Sequence, residues 1–304
     1  MSDSHCAAGN KLRLRGLAKR RMSAVVLSAG LLIALGFEAR LSAAITCTDA
    51  DYNGHYAFSS VGTLLDLPPE GAPLLGTISQ SGRFNPNGHG KVPIETLASY
   101  NGIPTNGYTP GATYSVSPDC VILFDLTLPV PIPYPSKFEG TLSKDGKQMV
   151  LMLTIPSGTE IVGQHIKQEI DFCGVGDFRG AYQIDLTGTI TGTGFAARPA
   201  NVAGQYRQLG RLVSDGLGNF TASAYTNYNG RILNESFSGT YKISSECFVN
   251  LTYQSASAGQ KLTINGAVGG HGEIVMVTVP TVGWGVSGTL RAQQGVGGEQ
   301  LEIR

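Results

Sequence analysis

The chain has 304 residues, 22 basic and 22 acidic side chains with no net formal charge, 41 glycines, and only 14% charged residues. That composition suits many strands joined by tight turns. It lacks the excess of basic side chains that nucleic acid or an anionic membrane demands of a partner.

Residues 1–44 read as a signal peptide. Lys11, Arg13, Arg15, Lys19, Arg20 and Arg21 form a basic region with no acid after Asp3. An apolar run of 14 residues follows from Ala24 to Phe37, and Ser42-Ala43-Ala44 offers small residues at a cleavage site before Ile45. The run is short of the ~20 residues that span a bilayer, and Glu38 and Arg40 close it. Cleavage leaves 15 basic and 20 acidic residues, a net charge near −5. The expected location is outside the cytoplasm, periplasmic or extracellular, with no membrane span left after cleavage.

Beyond the leader, short runs of alternating β-branched and aromatic residues bounded by Gly, Asn, Asp and Pro predict strands. In the first half these fall near 54–64, 73–85, 89–101, 111–117, 120–128, 137–143, 147–155 and 160–167. Asn87-Gly88, Asn101-Gly102 and Asp145-Gly146 are hairpin dipeptides between them. No segment sustains a 3.6-residue apolar period.

The second half repeats the first. Gly82 to Gly102 matches Gly210 to Gly230 without a gap, GATYSVSPDCVILF aligns with SGTYKISSECFVNL, and Val150 to Pro156 aligns with Ile274 to Pro280. The predicted organisation is therefore all-β: a first barrel repeat at 45–168, a second at 169–293 and a flexible tail at 294–304. Eight antiparallel strands in each copy is the size at which a sheet closes into a barrel, with a β-sandwich as the alternative. Cys47 and Cys120 lie 73 residues apart, Cys173 and Cys247 74 apart. Pairing within each copy is the simplest arrangement of the four, and pairing equivalent cysteines across copies is also symmetric.

Alternation sorts the faces. Tyr114 and Val116, like Tyr241 and Ile243, point inward, as do Tyr100 and Tyr228. Val150 to Ile155 and Ile274 to Val279 are apolar on both faces and so must be covered on both. They are expected to pack the two halves together or to mediate self-association.

The Gly-x-Tyr-x-Phe entry at Gly54, the glycine-punctuated hairpin and the Gly-x-x-Tyr-x-Val run before a Cys-led strand carry a resemblance. The pattern resembles exported bacterial tandem domains likened to calycin and allene oxide cyclase barrels. The resemblance implies eight-stranded barrels with an interior cavity, and allene oxide cyclase also implies a buried catalytic carboxylate. Glu95 is the nearest candidate, but alternation puts it on the outer face and its counterpart is Ser223, so no catalytic residue is carried over.

Other chemistry is thin. Asp49-Ala50-Asp51-Tyr52-Asn53-Gly54 imitates half of a calcium loop but lacks the closing glutamate, where Ser60 stands, and it reads as an Asx-rich turn. His55, His89, His165 and His271 are scattered singly, so no metal and no cofactor is expected. Asn219-Phe220-Thr221, Asn234-Glu235-Ser236 and Asn250-Leu251-Thr252 are glycosylation sequons, meaningful only in a eukaryotic host. Trp284, between two glycines, reads with the inward tyrosines as a ligand-lining or core-filling aromatic, with a surface aromatic in a turn as the alternative. The inward tyrosines, Tyr100, Tyr228, Tyr182 and Tyr241, are the candidate ligand-binding residues. Ala222, Ala224 and Ile184 replace Ile94, Thr96 and Phe58, so the second copy is expected to hold the roomier interior. The reading is an exported binding module for a small apolar or aromatic ligand. The alternatives are a structural or adhesive surface protein and a cyclase- or isomerase-like enzyme.

Overall fold

The computed structural model describes residues 46–65, 69–128, 134–155, 159–191 and 203–293. The expected signal peptide and tail lie outside them. Nine strands come first: β1 Tyr56–Leu64, β2 Gly76–Phe84, β3 Ile94–Tyr100, β4 Ile103–Thr109, β5 Thr113–Val116, β6 Val121–Leu128, β7 Tyr134–Leu142, β8 Gln148–Ile155 and β9 Thr159–Lys167. Eight follow: β10 Arg179–Ile190, β11 Gly204–Asp215, β12 Asn219–Tyr228, β13 Arg231–Ile243, β14 Phe248–Ser255, β15 Gln260–Gly269, β16 Ile274–Thr278 and β17 Trp284–Ala292. The fold is all-β, with short 3-10 turns and no α-helix among the described residues.

Strands β10 to β17 pair in sequence order and close, β10 against β17, into an eight-stranded antiparallel barrel. The first sheet departs from the expected closed barrel. Its nine strands run β4-β3-β2-β1-β9-β8-β7-β6-β5, a curled sheet whose two edges are consecutive in sequence. The second barrel explains why. There β13 is one long strand that pairs first with β12 and then with β14. In the first sheet the same path is broken at Pro110-Gly111-Ala112. The pairs Ile94–Thr109 and Thr113–Asp125 correspond to Ala222–Phe237 and Thr240–Thr252, so the first path carries one extra residue. Proline brings no N–H to a ladder, so the strand splits into β4 and β5. Val92 N donating to Ala112 O (3.0 Å) and Tyr114 N to Gly90 O (3.0 Å) still hold the two sides near closure. Strand β4 escaped the sequence reading because Pro104, Asn106 and Gly107 are poor strand formers.

The hairpins β3–β4 and β12–β13 share a two-residue turn. Asn101 and Gly102 have φ of 48° and 79°, Asn229 and Gly230 of 48° and 94°, which is the left-handed pair a type I′ turn requires. Disulfides join Cys47 to Cys120 and Cys173 to Cys247, each within one half. Two such bonds are the chemistry of an exported chain. Among the described residues no helix is long and apolar enough to cross a membrane.

The two halves meet through the outer faces of β1 and β2, which pack on β15, β16 and β17. Strand β16 is buried on both sides: Val275 and Val277 belong to the barrel core, while Ile274 and Met276 pack with Ala57 of β1. It is therefore not free for self-association. The other doubly apolar strand, β8, behaves differently. Met149, Leu151 and Leu153 fill the first core, but Val150 and Met152 are 59% and 52% exposed, because β8 lies two strands away from the contact. The contact itself is built from small side chains. Ser79 Oγ lies 3.0 Å from Thr278 Oγ1, Ser81 Oγ donates to Asn265 O (3.2 Å) and Ser287 Oγ to Ser60 O (3.0 Å). Arg83 Nη1 reaches Glu246 O (3.0 Å), and Gly283 N donates to Gly102 O (2.7 Å).

His165 sits wholly inside the first sheet, its ring 4.2 Å from that of Phe84 and its Nδ1 3.1 Å from the Tyr52 hydroxyl. Burial pushes its pKa down to about 3.

Two expected outcomes follow from this packing. A β-carbon on Gly102 would meet Gly283 Cα at 2.5 Å, whereas one on Gly230 meets nothing within 4 Å, although both glycines are left-handed. Gly230→Ala should therefore cost only the backbone strain, roughly 1–2 kcal/mol. Gly102→Ala should cost a further ~1–3 kcal/mol for overpacking. Urea unfolding of the two variants measures the difference, and equal costs would mean the halves do not touch there. The second outcome concerns acid. A histidine held neutral in the fold but free to protonate near pH 6.5 when unfolded gives stability that is whole above pH 6.5. That stability falls toward pH 3, by about 1.4 kcal/mol per pH unit for one proton. His165→Gln should flatten the loss between pH 6.5 and 5, and an unchanged slope would put the proton elsewhere.

Candidate functional site

The four tyrosines expected to line a ligand site do not converge. Tyr182 and Tyr241 meet at the disulfide end of the second barrel, packed on Phe178 with ring centroids 4.4 and 5.1 Å away. The Tyr241 hydroxyl donates to Val175 O (2.9 Å), so this pair plugs the barrel end. Burial pushes the Tyr182 phenol up to about 12. Tyr100 is buried in the first sheet, where Gln80 Nε2 donates to its hydroxyl (2.9 Å). Tyr228 stands alone of the four at the opposite end of the second barrel.

The interiors offer little room. An enclosed cavity of about 30 Å³ lies inside the first sheet, lined by Phe58, Gln80, Phe84, Thr96, Thr109 and His165 among others. That holds a water or two, against the ~300–1,000 Å³ of a small-molecule site. The roomier second interior expected from Ala222, Ala224 and Ile184 is refilled from neighbouring strands. Matching the pairs from the shared hairpin, Ala222 faces Phe237 where Ile94 faces Thr109. Counting from the second disulfide cysteine, Tyr253 replaces Leu126. The Phe237 and Tyr253 rings stack at 4.3 Å, and Leu251 is fully buried, while Tyr225 stays 65% exposed. Volume removed from β12 is returned by β13 and β14.

The same exchange builds the most chemically distinctive place in the molecule. Alternation along β13 puts 233, 235, 237, 239 and 241 on the inner side, so Glu235 points into the barrel near Tyr228. The Tyr228 hydroxyl donates to Glu235 Oε2 (3.1 Å), and Ser257 Oγ donates to Oε1. Tyr206 packs edge-on against Tyr228 at 5.4 Å and against Trp284 at 5.1 Å. Burial raises the phenols of Tyr206, Tyr228 and Tyr253, and the Glu235 charge adds to the rise in each. All three stay protonated at any physiological pH. Gln208, 2% exposed on the inner face of β11, gives its Nε2 to Thr226 Oγ1 (3.0 Å), but its Oε1 has no partner. Gln260 Nε2, at the start of β15, has none either.

Sequence reasoning missed Glu235, Tyr206, Tyr253 and Gln208. The signal for Glu235 is its odd parity with the inward Tyr241. Trp284 is inside, not in a surface turn: it is fully buried as the first residue of β17, where flanking glycines let the backbone press close. A β-carbon on Gly285 would meet Thr77 Oγ1 at 2.6 Å.

The other sequence candidates have structural roles. Glu95 does lie on the outer face, where it pairs with Arg83 (3.2 Å) beside the second barrel. Asp49 accepts from Val116 N (2.7 Å) and Asp51 from Thr48 N (2.8 Å), so their oxygens cap backbone amides. His271 lies 3.3 Å from Glu169, and His55 2.6 Å from Asn85. A larger groove, about 760 Å³, opens on the outside between β6–β9 and β10/β17. Val61, Val150, Met152, Val162, Asp185 and Thr289 are among its lining residues.

No protein-family model and no curated protein sequence matches the chain. Among solved structures, the chain is similar to the isotype 1 transferrin binding protein B from serogroup B Neisseria meningitidis. The match has 7% identity and a TM-score of 0.29, covering 78% of this chain and 74% of that one. A likeness that distant carries no argument about function.

Proposed function

We propose that the protein is an exported binding protein that holds a small molecule at the end of its second barrel opposite the disulfide, around Tyr228 and Glu235. One observation carries this reading: the fold does not need the polar cluster there. In the matching positions of the first sheet, Ile78 stands for Tyr206, Ala98 for Thr226, Gly107 for Glu235 and Leu126 for Tyr253. That half closes the same end with apolar side chains and the Gln80–Tyr100 bond. A fold with an apolar solution available retains partly unpaired amides and a carboxylate in its other copy. Unpaired polar groups inside a protein cost stability, so their presence points to a role. The resemblance to calycin barrels points the same way, since small barrels of that kind hold ligands in their mouths.

The surface-protein alternative draws on a different feature. Leu123, Met152 and Val162 are exposed and lie in one row across β6 to β9. Micromolar dimerisation abolished by Met152→Lys would favour it.

Native mass spectrometry on the disulfide-intact chain from its own host tests the binding reading. The expected result is an adduct of a few hundred daltons whose removal shifts the emission of Trp284, the chain's sole tryptophan. A bare mass, or an adduct whose removal leaves Trp284 unchanged, overturns it.

A further inference from the structure

Resting on that binding reading, we infer that the ligand of the Glu235 site is an organic cation: an ammonium group carried on an aromatic or apolar body. Glu235 turns its carboxylate into the barrel, and among the described residues no lysine, arginine or histidine pairs with it. The ion pairs found there join Arg83 to Glu95, Lys137 to Asp125, Lys147 to Glu169, Arg207 to Asp185 and His271 to Glu169. Half-buried on the inner side of β13 and held by two hydroxyl donors, this carboxylate has no counter-charge, and a cation is the partner that supplies one.

The surroundings select the same charge. Tyr206 packs edge-on against Tyr228 (5.4 Å) and against Trp284 (5.1 Å), which builds an aromatic wall beside Glu235. Aromatic walls of this kind attract a cation through the ring quadrupole, most strongly where water is excluded. The phenols of Tyr206, Tyr228 and Tyr253 stay neutral at physiological pH, and that of Tyr228 donates to the carboxylate. The unpartnered Oε1 of Gln208, nearly fully buried on the inner wall, adds an acceptor without a donor. An anionic ligand would meet Glu235 head-on, and a neutral apolar one would leave both the carboxylate and the amide as they are.

Ser257 marks the place of entry. It lies in the turn between β14 and β15, and its hydroxyl is the donor that a ligand ammonium would displace from Glu235 Oε1. The body of the ligand would then lie toward Tyr206 and Trp284.

The test uses benzyltrimethylammonium and its uncharged carbon isostere, neopentylbenzene, with Trp284 emission as the readout on the disulfide-intact chain. The expected result is a saturable change with the cation and about tenfold weaker binding of the isostere. Glu235→Gln should bring the cation down to the level of the isostere and leave the isostere unchanged. Ser257→Lys, at the rim, should supply an internal ammonium and abolish cation binding while the near-ultraviolet circular dichroism keeps its native form. That variant serves if Glu235→Gln fails to fold. Equal affinity for the two probes overturns the charge assignment and leaves the binding reading standing. Failure of both probes to perturb Trp284 overturns the cation assignment, and with a bare native mass it overturns the binding reading as well. Cation binding that survives both variants places the charge recognition away from Glu235 and also overturns the inference.

Discussion

A face of small hydroxyl side chains pressed against a strand that is apolar on both sides holds this molecule together. Ser59, Ser79, Ser81 and Ser287 are buried between the halves, and three of them reach oxygen partners across the contact. Small residues let two sheets approach closely enough for backbone to meet backbone at Gly102 and Gly283. Larger side chains would hold the sheets apart and leave β16 with one apolar face in water. The approach is not free of cost, because Thr77 Oγ1 and Ser99 Oγ are buried there without partners. The apolar contact of Ile274, Met276, Ala57 and Ala267 has to outweigh that loss.

What could be read in the sequence was whatever is local or periodic. Asn-Gly pairs announce left-handed turns because few other residues tolerate them, and both hairpins form where those pairs stand. Cysteine spacings that differ by one residue suggested a pairing within each half, and both bonds form that way. Alternation placed Tyr100, Tyr228, Tyr182 and Tyr241 inside. What could not be read depends on neighbours far along the chain. The serines of β1 and β2 look like a solvated face until the second barrel covers them. Trp284 could be a core aromatic or a turn residue until β17 is seen to begin there. One extra residue at Pro110 separates a closed barrel from a curled sheet, and alternation cannot weigh it.

The same limit applied to the site. A count of side-chain volume along β12 alone predicts a void, but Phe237 and Tyr253 arrive from other strands and fill it. Packing conserves volume across a core, not along a strand. Glu235 belongs to that exchange too, standing where the first sheet has Gly107. Its inward direction follows from parity, yet its meaning appears only when Tyr206, Tyr228 and Ser257 gather from three separate parts of the chain.

The segment that joins the halves has a consequence for how the molecule moves. Gln168 Nε2 donates to Val268 O (2.7 Å), Glu169 N to Gly270 O (2.9 Å) and Gly270 N to Lys167 O (2.7 Å). The connector is thereby stitched into the end of β15 and is not a free linker. Proteins that trap ligands by closing two lobes need a few unrestrained backbone residues at the crossing point to absorb the rotation. This chain has tied those residues down, so it is not a clamshell. A guest reaching the second barrel would be admitted by side-chain and turn motions at its rim, and its arrival would leave the relative pose of the two halves unchanged.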